Sequence, residues 1–360
     1  MEVLESDHQQ GDGPFTARAS QMVSNLVGGG HVLLTPSCTH ALEMASMLGN
    51  FAPGDEVILP SYTFTSAATA VTKFGATPVF VDIDPVTKGI DANQVADAVT
   101  DKTVAISWVN YAGIAPDIEA LQDIAKKHDL LLIEDNAHGL GGTYKGKPLG
   151  SFGHFATQSF HATKNIQCGE GGALVINVPE FIERAEVIRE KGTNRSRFVR
   201  GEVQKYQWVD QGSSYLLAEV LSAVMQGQLE AFEEIQKNRL MVWNEYNNLI
   251  EFNLENLQIK RMILPKDSFN IAHLYYLEIE NTEILNTFIQ KMKSDNVAIS
   301  KHYVPLGNSL HGKKMGRIFS SDIEAVTFSS QMIRLPIWSK MYQNTTETIL
   351  SSINKALKIN

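Results

Sequence analysis

Lys164 stands in a short run of small, polar and aromatic residues, Ser159-Phe160-His161-Ala162-Thr163-Lys164-Asn165. Gly169-Glu170-Gly171-Gly172 follows, and then Ala173-Leu174-Val175-Ile176, which reads as a buried strand. A lysine held between structured segments beside a glycine turn suits an amine that must meet a carbonyl. Such an amine forms a Schiff base, and burial lowers its pKa so that it attacks as the free base. Most lysines are solvated instead, so the residues upstream of Lys164 have to decide between the two.

Those residues follow a regular plan. Apolar runs at 32–34, 56–59, 77–83, 104–109, 130–133 and 155–157 read as strands. Helical patterns lie between them at 17–26, 40–48, 66–74 and 118–128, the last with apolar Ile118, Leu121, Ile124 and Ala125 on one face. The run at 130–133 is continuously apolar, as in a strand buried on both faces. Strands alternating with helices make an α/β domain with a mostly parallel, doubly wound sheet and right-handed crossovers. In such sheets ligands sit outside the carboxyl ends of the strands.

The strand ends carry chemistry. Ser37-Cys38-Thr39 follows the first strand and opens a helix, whose first backbone N–H groups have no partner and favour an anion. Tyr62 and Phe64 follow the second, Glu134-Asp135-Asn136-Ala137-His138 the fifth, and Ser159 and Lys164 the sixth. One ligand accounts for all of them: an aromatic cofactor with a protonatable ring nitrogen, a phosphate and an aldehyde. Asp135 would keep the ring nitrogen protonated. The Cys38-Thr39 helix start and the Ser159 hydroxyl would bind the phosphate, Phe64 would stack on the ring, and Lys164 would capture the aldehyde. Each has an ordinary alternative. Ser37 or Thr39 could be a plain N-cap, Asp135 a cap for the next helix, Phe64 core, and His138 a donor to a backbone carbonyl. Their conjunction at successive strand ends favours the ligand.

Composition narrows the class. The chain has 360 residues, 43% apolar and 20% charged, which predicts a soluble enzyme of two parts. We place a large domain at 1–225, and a linker helix with a smaller C-terminal α/β domain at 226–360. No apolar run approaches the ~18 residues of a membrane span. The acidic start has no apolar core of a signal peptide. Two cysteines, Cys38 and Cys168, fit a reducing cytoplasm and give no zinc spacing. A net charge of -9 speaks against nucleic acid.

The sequence resembles the DegT/StrS family of pyridoxal phosphate-dependent nucleotide-sugar aminotransferases, of the aspartate aminotransferase (type I) fold. The resemblance covers nearly the whole chain. It rests on Gly11-Asp-Gly-Pro-Phe-Thr16, Pro60-Ser-Tyr-Thr-Phe64, Phe80-Val-Asp-Ile83, Glu134-Asp135, Ser159-Phe-His-Ala-Thr-Lys-Asn165 and Gly169-Glu-Gly-Gly172. Leu34-Thr-Pro-Ser-Cys-Thr39, Arg189-Glu-Lys-Gly-Thr-Asn-Arg-Ser196 and Gly212-Ser-Ser-Tyr-Leu216 most resemble the subgroup of dTDP-4-amino-4,6-dideoxygalactose transaminases. The resemblance implies that Lys164 binds pyridoxal 5'-phosphate covalently and shuttles the proton, and that Asp135 pairs with the ring nitrogen. It implies His138 near the ring hydroxyl, Ser159 and the Cys38-Thr39 backbone on the phosphate, and Phe64 packed on the cofactor. It implies a homodimer with a shared site, in which Ser214, where many members have Asn, reaches the neighbouring subunit's phosphate. Its substrates would be L-glutamate and a dTDP-4-keto-6-deoxyhexose aminated at C4 for a surface polysaccharide. Its rivals are a 3-keto-sugar aminotransferase, a sugar dehydrase of the same fold, which typically has His where Lys164 stands, and a cofactor-bound regulator without turnover.

Two departures stand out. The family pattern has more residues before Gly11. Its His-Tyr-x-Pro-Leu-His motif reads His302-Tyr303-Val304-Pro305-Leu306-Gly307 here, so His302 and Tyr303 remain as substrate contacts and the second histidine is gone. Arg184, Arg189, Lys191, Arg195, Arg197, Arg200 and Lys205 form a basic stretch. It could bind a nucleotide diphosphate, with Arg195 the leading candidate, or be a solvated helix face. Beyond it, helices at 215–252, strands near 273–279 and 297–300, a helix near 283–292, the segment 334–338 and a final helix predict a cap of three or four strands.

Overall fold

A computed structural model describes residues 2–251, 259–341 and 343–357. Its centre is one sheet. The strands are β1 (His31–Thr35), β2 (Glu56–Pro60), β3 (Thr77–Val81), β4 (Thr103–Val109), β5 (Leu131–Asp135), β6 (Phe155–Ser159) and β7 (Gly172–Ile176). Their order is β1-β7-β6-β5-β4-β2-β3, with Arg317–Ile318 added outside β3. Only β7 runs against its neighbours. The carboxyl ends of β1, β2, β4, β5 and β6 and the start of β7 therefore share one edge of the sheet.

The expected elements form for the expected reasons. The helix Ile118–His128 buries Ile118, Leu121 and Ala125. The Asp117 carboxylate accepts the Ala120 N–H at 3.2 Å to start it, and Asp129 ends it at φ 55. Lys126, Lys127 and His128 sit at the negative end of its dipole. β4 and β5 are buried along nearly their whole length, as their unbroken apolar runs require.

The Gly11–Thr16 turn serves a structural end. Glu219, fully buried, accepts N–H groups from Gly13 (3.2 Å), Phe15 and Thr16 (3.2 Å), and the Thr16 hydroxyl at 2.5 Å. One carboxylate thus caps the helix Pro14–Leu26 from a distant segment. A Cβ on Gly13 would lie 2.6 Å from that carboxylate.

The later chain builds a three-stranded antiparallel sheet from Ile259–Arg261, Tyr275–Ile279 and Met332–Leu335. It packs with the helices Phe232–Glu251, Thr282–Ser294 and Gln343–Leu357 around Tyr246, Tyr275, Phe288 and Phe328. The helices expected over 215–252 are Glu219–Glu230 and Phe232–Glu251; Phe252 lies outside the described residues. The strand expected at 297–300 is not a strand. Only Ser300 pairs, with Arg334, through bonds of 3.3 and 2.7 Å. The chain then leaves the sheet, which is what carries His302 and Tyr303 to the cavity described below.

Carboxylates and one lysine latch this part onto the large sheet. Asp82, just past β3, accepts the N–H groups of Glu324 and Ala325 at 2.8 Å and so caps the helix Ile323–Gln331. Lys88 is 3% exposed. Its Nζ lies 3.1 Å from Glu278, 2.9 Å from Glu324 and 4.5 Å from the centre of the Phe328 ring. Removing one partner of a buried pair leaves the other charge unpaired, at a cost of about 3–5 kcal/mol. Lys88→Ala is therefore expected to lower the unfolding free energy by about that amount in chemical denaturation. An unchanged midpoint would show that the latch carries no stability.

Candidate active site

A cavity of about 390 Å³ opens at the shared strand edge. Its walls are the ends of β1, β2, β4, β5 and β6, and three segments from the later chain, at His273, at His302-Tyr303 and at Arg334.

At one end lies the start of the helix Cys38–Leu48. Ser37 is its N-cap: the hydroxyl accepts the His40 N–H at 3.2 Å. The capping role considered for this turn is thus real, but it satisfies only one donor. The N–H groups of Cys38 and Thr39 have no partner among the described residues, so the helix start still offers an anion site. Gly172 allows this seat. It pairs with Thr35 on β1, and a Cβ there would lie 2.3 Å from the Ser37 carbonyl carbon and 2.4 Å from the Cys38 nitrogen. The third glycine of the Gly169–Gly172 turn is therefore a close-approach residue. Ser159, at the end of β6, lines the same cavity.

Asp135 ends β5 and is buried. Its Oδ1 accepts the Ala137 N–H at 3.1 Å, and the Cys38 thiol lies 3.9 Å away. Burial raises its carboxyl above the usual range, against the pull of that N–H and of Lys164. Lys164 lines the cavity without a carboxylate within ion-pair reach among the described residues. Burial brings its amine down to about 8, although Cys38 and Asp135 favour the charged form. Phe64 lines the cavity at 55% exposure, so one aromatic face is free to take a ligand.

The opposite wall is rich in imidazoles. His138 was considered as a donor to a backbone carbonyl; instead its Nδ1 accepts the Ala112 N–H at 3.3 Å. Its ring lies 4.3 Å from His273. His302 stacks on Tyr303 at 4.3 Å, meets the Tyr111 hydroxyl at 3.2 Å, and accepts a hydrogen bond from Arg334 through Nε2. Burial, with Arg334 and Lys164 adding to it, brings His302 down to about 3. Arg334 has no carboxylate partner among the described residues, and its buried Nε has no hydrogen bond.

The structure thus brings together Cys38, Thr39, Phe64, Asp135, His138, Ser159, Lys164, His302 and Tyr303. It does not bring Ser214 or Arg195 into this cavity. Ser214 bridges to Glu190, and Arg195 pairs with Glu190 at 2.6 Å. Every arginine of the basic stretch is engaged with a carboxylate: Arg184 with Asp210, Arg189 with Asp12, Arg197 with Glu183 and Glu202, and Arg200 with Glu186 and Glu202. That favours the solvated face over the diphosphate patch. Gly307 has a steric reason. A Cβ there would lie 2.8 Å from the Ile318 side chain and 2.9 Å from the Asp322 carboxylate, so no histidine fits. Sequence reasoning missed His273 and Arg334. Each lies where a strand of the later sheet meets the cavity, and no local spacing marks that meeting point.

Residues 1–354 match the DegT/DnrJ/EryC1/StrS aminotransferase family. An uncharacterized protein of Methanocaldococcus jannaschii is 31% identical over 97% of this chain and 91% of its own length. The spore coat polysaccharide biosynthesis protein SpsC of Bacillus subtilis is 29% identical over 96% of this chain and 90% of its own. Spr1654 of Streptococcus pneumoniae, described as a sugar aminotransferase and solved in its pyridoxal phosphate form, superposes with a TM-score of 0.89 at 26% identity, covering 99% of this chain and 94% of that one. The chain belongs to the DegT/DnrJ/EryC1/StrS aminotransferase family, has the type I fold, and uses pyridoxal 5'-phosphate.

Proposed function

We propose that this chain transfers the amino group of L-glutamate to C4 of a dTDP-4-keto-6-deoxyhexose, for surface polysaccharide synthesis. The observation that carries the reading is one cavity holding a lysine brought down to about 8, a buried carboxylate and an open helix start. The cofactor fits these groups. The unpartnered N–H groups of Cys38 and Thr39, with Ser159, suit its phosphate; Asp135 suits its ring nitrogen; Phe64 suits its face. When bound, pyridoxal phosphate supplies an aldehyde and an electron-withdrawing ring.

The rest falls to side chains. Lys164, poised near neutrality, holds the cofactor and then moves a proton at its Nζ between the cofactor and the substrate carbon. Asp135, ionised against a positive ring nitrogen, keeps that nitrogen protonated. His138, whose Nδ1 already accepts a backbone N–H, keeps its proton on Nε2 and offers it to the cavity. Arg334, which lines the cavity without a carboxylate partner among the described residues, supports a carboxylate-bearing amino donor such as glutamate. Tyr303, beside Phe64 at 6.0 Å, lines the mouth where a sugar would lie.

A second copy completes the site in this reading. Trp208 is 79% exposed, Phe198, Val199, Tyr206 and Val209 of the same segment are exposed too, and the Phe198 and Tyr206 rings lie 5.7 Å apart. A neighbour covering this patch would find Ser214 close by, outside its own chain's cavity. The choice of C4 and of thymidine rests on the subgroup resemblance at 34–39, 189–196 and 212–216, and the polysaccharide role on that resemblance with the name of SpsC.

The test is incubation of the purified protein with pyridoxal phosphate, L-glutamate and dTDP-4-keto-6-deoxyglucose. NMR of the product is expected to place the new amine at C4. Amination of the 3-keto isomer instead would assign the chain to C3 chemistry. No product from either sugar would remove the nucleotide-sugar reading.

A further inference from the structure

We propose that His273 is a positioning residue. Through Asn165 it fixes the segment that carries Lys164, and with its ring it fixes the plane of His138. The inference rests on Lys164 being the cofactor-binding lysine.

The hydrogen bonds define the arrangement. Asn165, next to Lys164, is buried. Its Nδ2 donates to Gln236 Oε1 at 2.9 Å and to the Ile271 carbonyl at 2.8 Å. Both N–H groups are used, so its Oδ1 can only accept. His273 Nδ1, 3.0 Å from that Oδ1, must donate. Burial keeps the ring neutral, so one proton remains and Nε2 is bare.

The backbone that carries the ring is strapped as well. Arg239 donates to the Ala272 carbonyl at 3.0 Å and to the His273 carbonyl at 2.6 Å. Ala272 takes a φ of 48, and its N–H is held by Asn270 at 2.7 Å. Against this fixed ring lies His138, centroids 4.3 Å apart and planes 32° apart. His138 accepts the Ala112 N–H through Nδ1, so its proton is on Nε2. The two stacked imidazoles are therefore held in opposite tautomers, a donor on His138 and an acceptor on His273. Neither can flip without leaving a buried group unpaired.

Three variants test this: His273→Phe, which keeps a ring and loses the donor; His273→Asn, whose amide restores a donor near the Nδ1 position; and Asn165→Ala. Two quantities are read, the dissociation constant for pyridoxal phosphate and the pH midpoint of the visible absorption of the loaded protein. His273→Phe and Asn165→Ala are each expected to weaken binding about tenfold and to move the midpoint, because each removes the tether. His273→Asn is expected to stay within about twofold of the parent, and the double variant His273→Phe with Asn165→Ala to add little to either single one. Parental affinity and midpoint in His273→Phe would overturn the proposal. So would equal losses in the Phe and Asn variants, which indicate packing alone. Borohydride trapping in the parent protein separates the premise: a cofactor fixed on another lysine removes the Lys164 reading whatever the His273 variants do.

Discussion

Lys164→Ala is expected to abolish turnover while leaving the fold and a noncovalent hold on pyridoxal phosphate. The phosphate seat at Cys38-Thr39, the Asp135 carboxylate and the Phe64 face do not depend on the lysine, so the variant should still take up cofactor reversibly. On the proposed assignment it loses the group that would hold the cofactor covalently and move the proton, and a positioned acid–base group is worth about 10²–10⁴-fold in rate. With the covalent step lost as well, activity should fall at least ~10⁴-fold. The parent protein offers a control. Its amine is brought down to about 8, chiefly by burial. Below that pH it is mostly the ammonium and does not attack; above it the free base dominates. The rate of covalent capture should therefore rise with pH, bend near 8 and level off, and Lys164→Ala should show no such profile. Borohydride reduction followed by peptide mapping checks the first claim, and stopped-flow absorbance against pH checks the second. Appreciable turnover in the variant would contradict the assignment.

Much of this site was legible in the sequence because the large sheet presents it in order. Each strand end from β1 to β6 is a local event: an apolar run stops and a polar residue follows. Asp135, Ser159 and Lys164 could thus be lined up by counting strands, and Ile118–His128 was expected between its true ends from its apolar face. The later chain does not read that way. His273 and Arg334 reach the cavity because two strands of a separate sheet end there, a fact of tertiary packing that no window of sequence contains. Val297–Ser300 has the short apolar run of a strand, yet only Ser300 pairs. Asn296 takes a φ of 56 as the helix Thr282–Ser294 runs out, and the chain is redirected toward His302. The basic stretch misled for another reason. Of its carboxylate partners, Glu183, Glu186, Glu190 and Glu202 lie just before it or within it and Asp12 and Asp210 lie outside it, but side-chain pairing across turns is not visible in a charge count. Gly307 shows the reverse case, where an absent histidine is explained by Ile318 and Asp322 filling its space.

Asp135→Asn is expected to cut turnover about a thousandfold and, at neutral pH, to stabilise the cofactor-free protein. The two effects share one cause. A unit charge pair ~4 Å apart at an effective dielectric of ~20 is worth about 4 kcal/mol, which is about three decades in rate when the positive ring nitrogen is what makes the cofactor an electron sink. An amide keeps the shape, and its oxygen can still accept the Ala137 N–H that Oδ1 now accepts at 3.1 Å, so the loss should be one of charge rather than of geometry. In the cofactor-free protein that same charge is a burden. Burial raises the folded carboxyl above its unfolded value. The unfolded chain therefore gives up its proton first as pH rises, and stability present below the unfolded pKa is lost as pH passes through the folded one. Asn carries no such penalty, so thermal unfolding of the empty variant should occur above that of the empty parent at pH 7. The difference should vanish in acid, where the parent carboxyl is protonated in both states. Saturating cofactor should reverse the order, because only the carboxylate gains from the ring nitrogen. A variant less stable than the parent when empty would mean that Asp135 holds the strand end together and is no charge kept in waiting. Retained turnover would mean that the ring nitrogen does not need it.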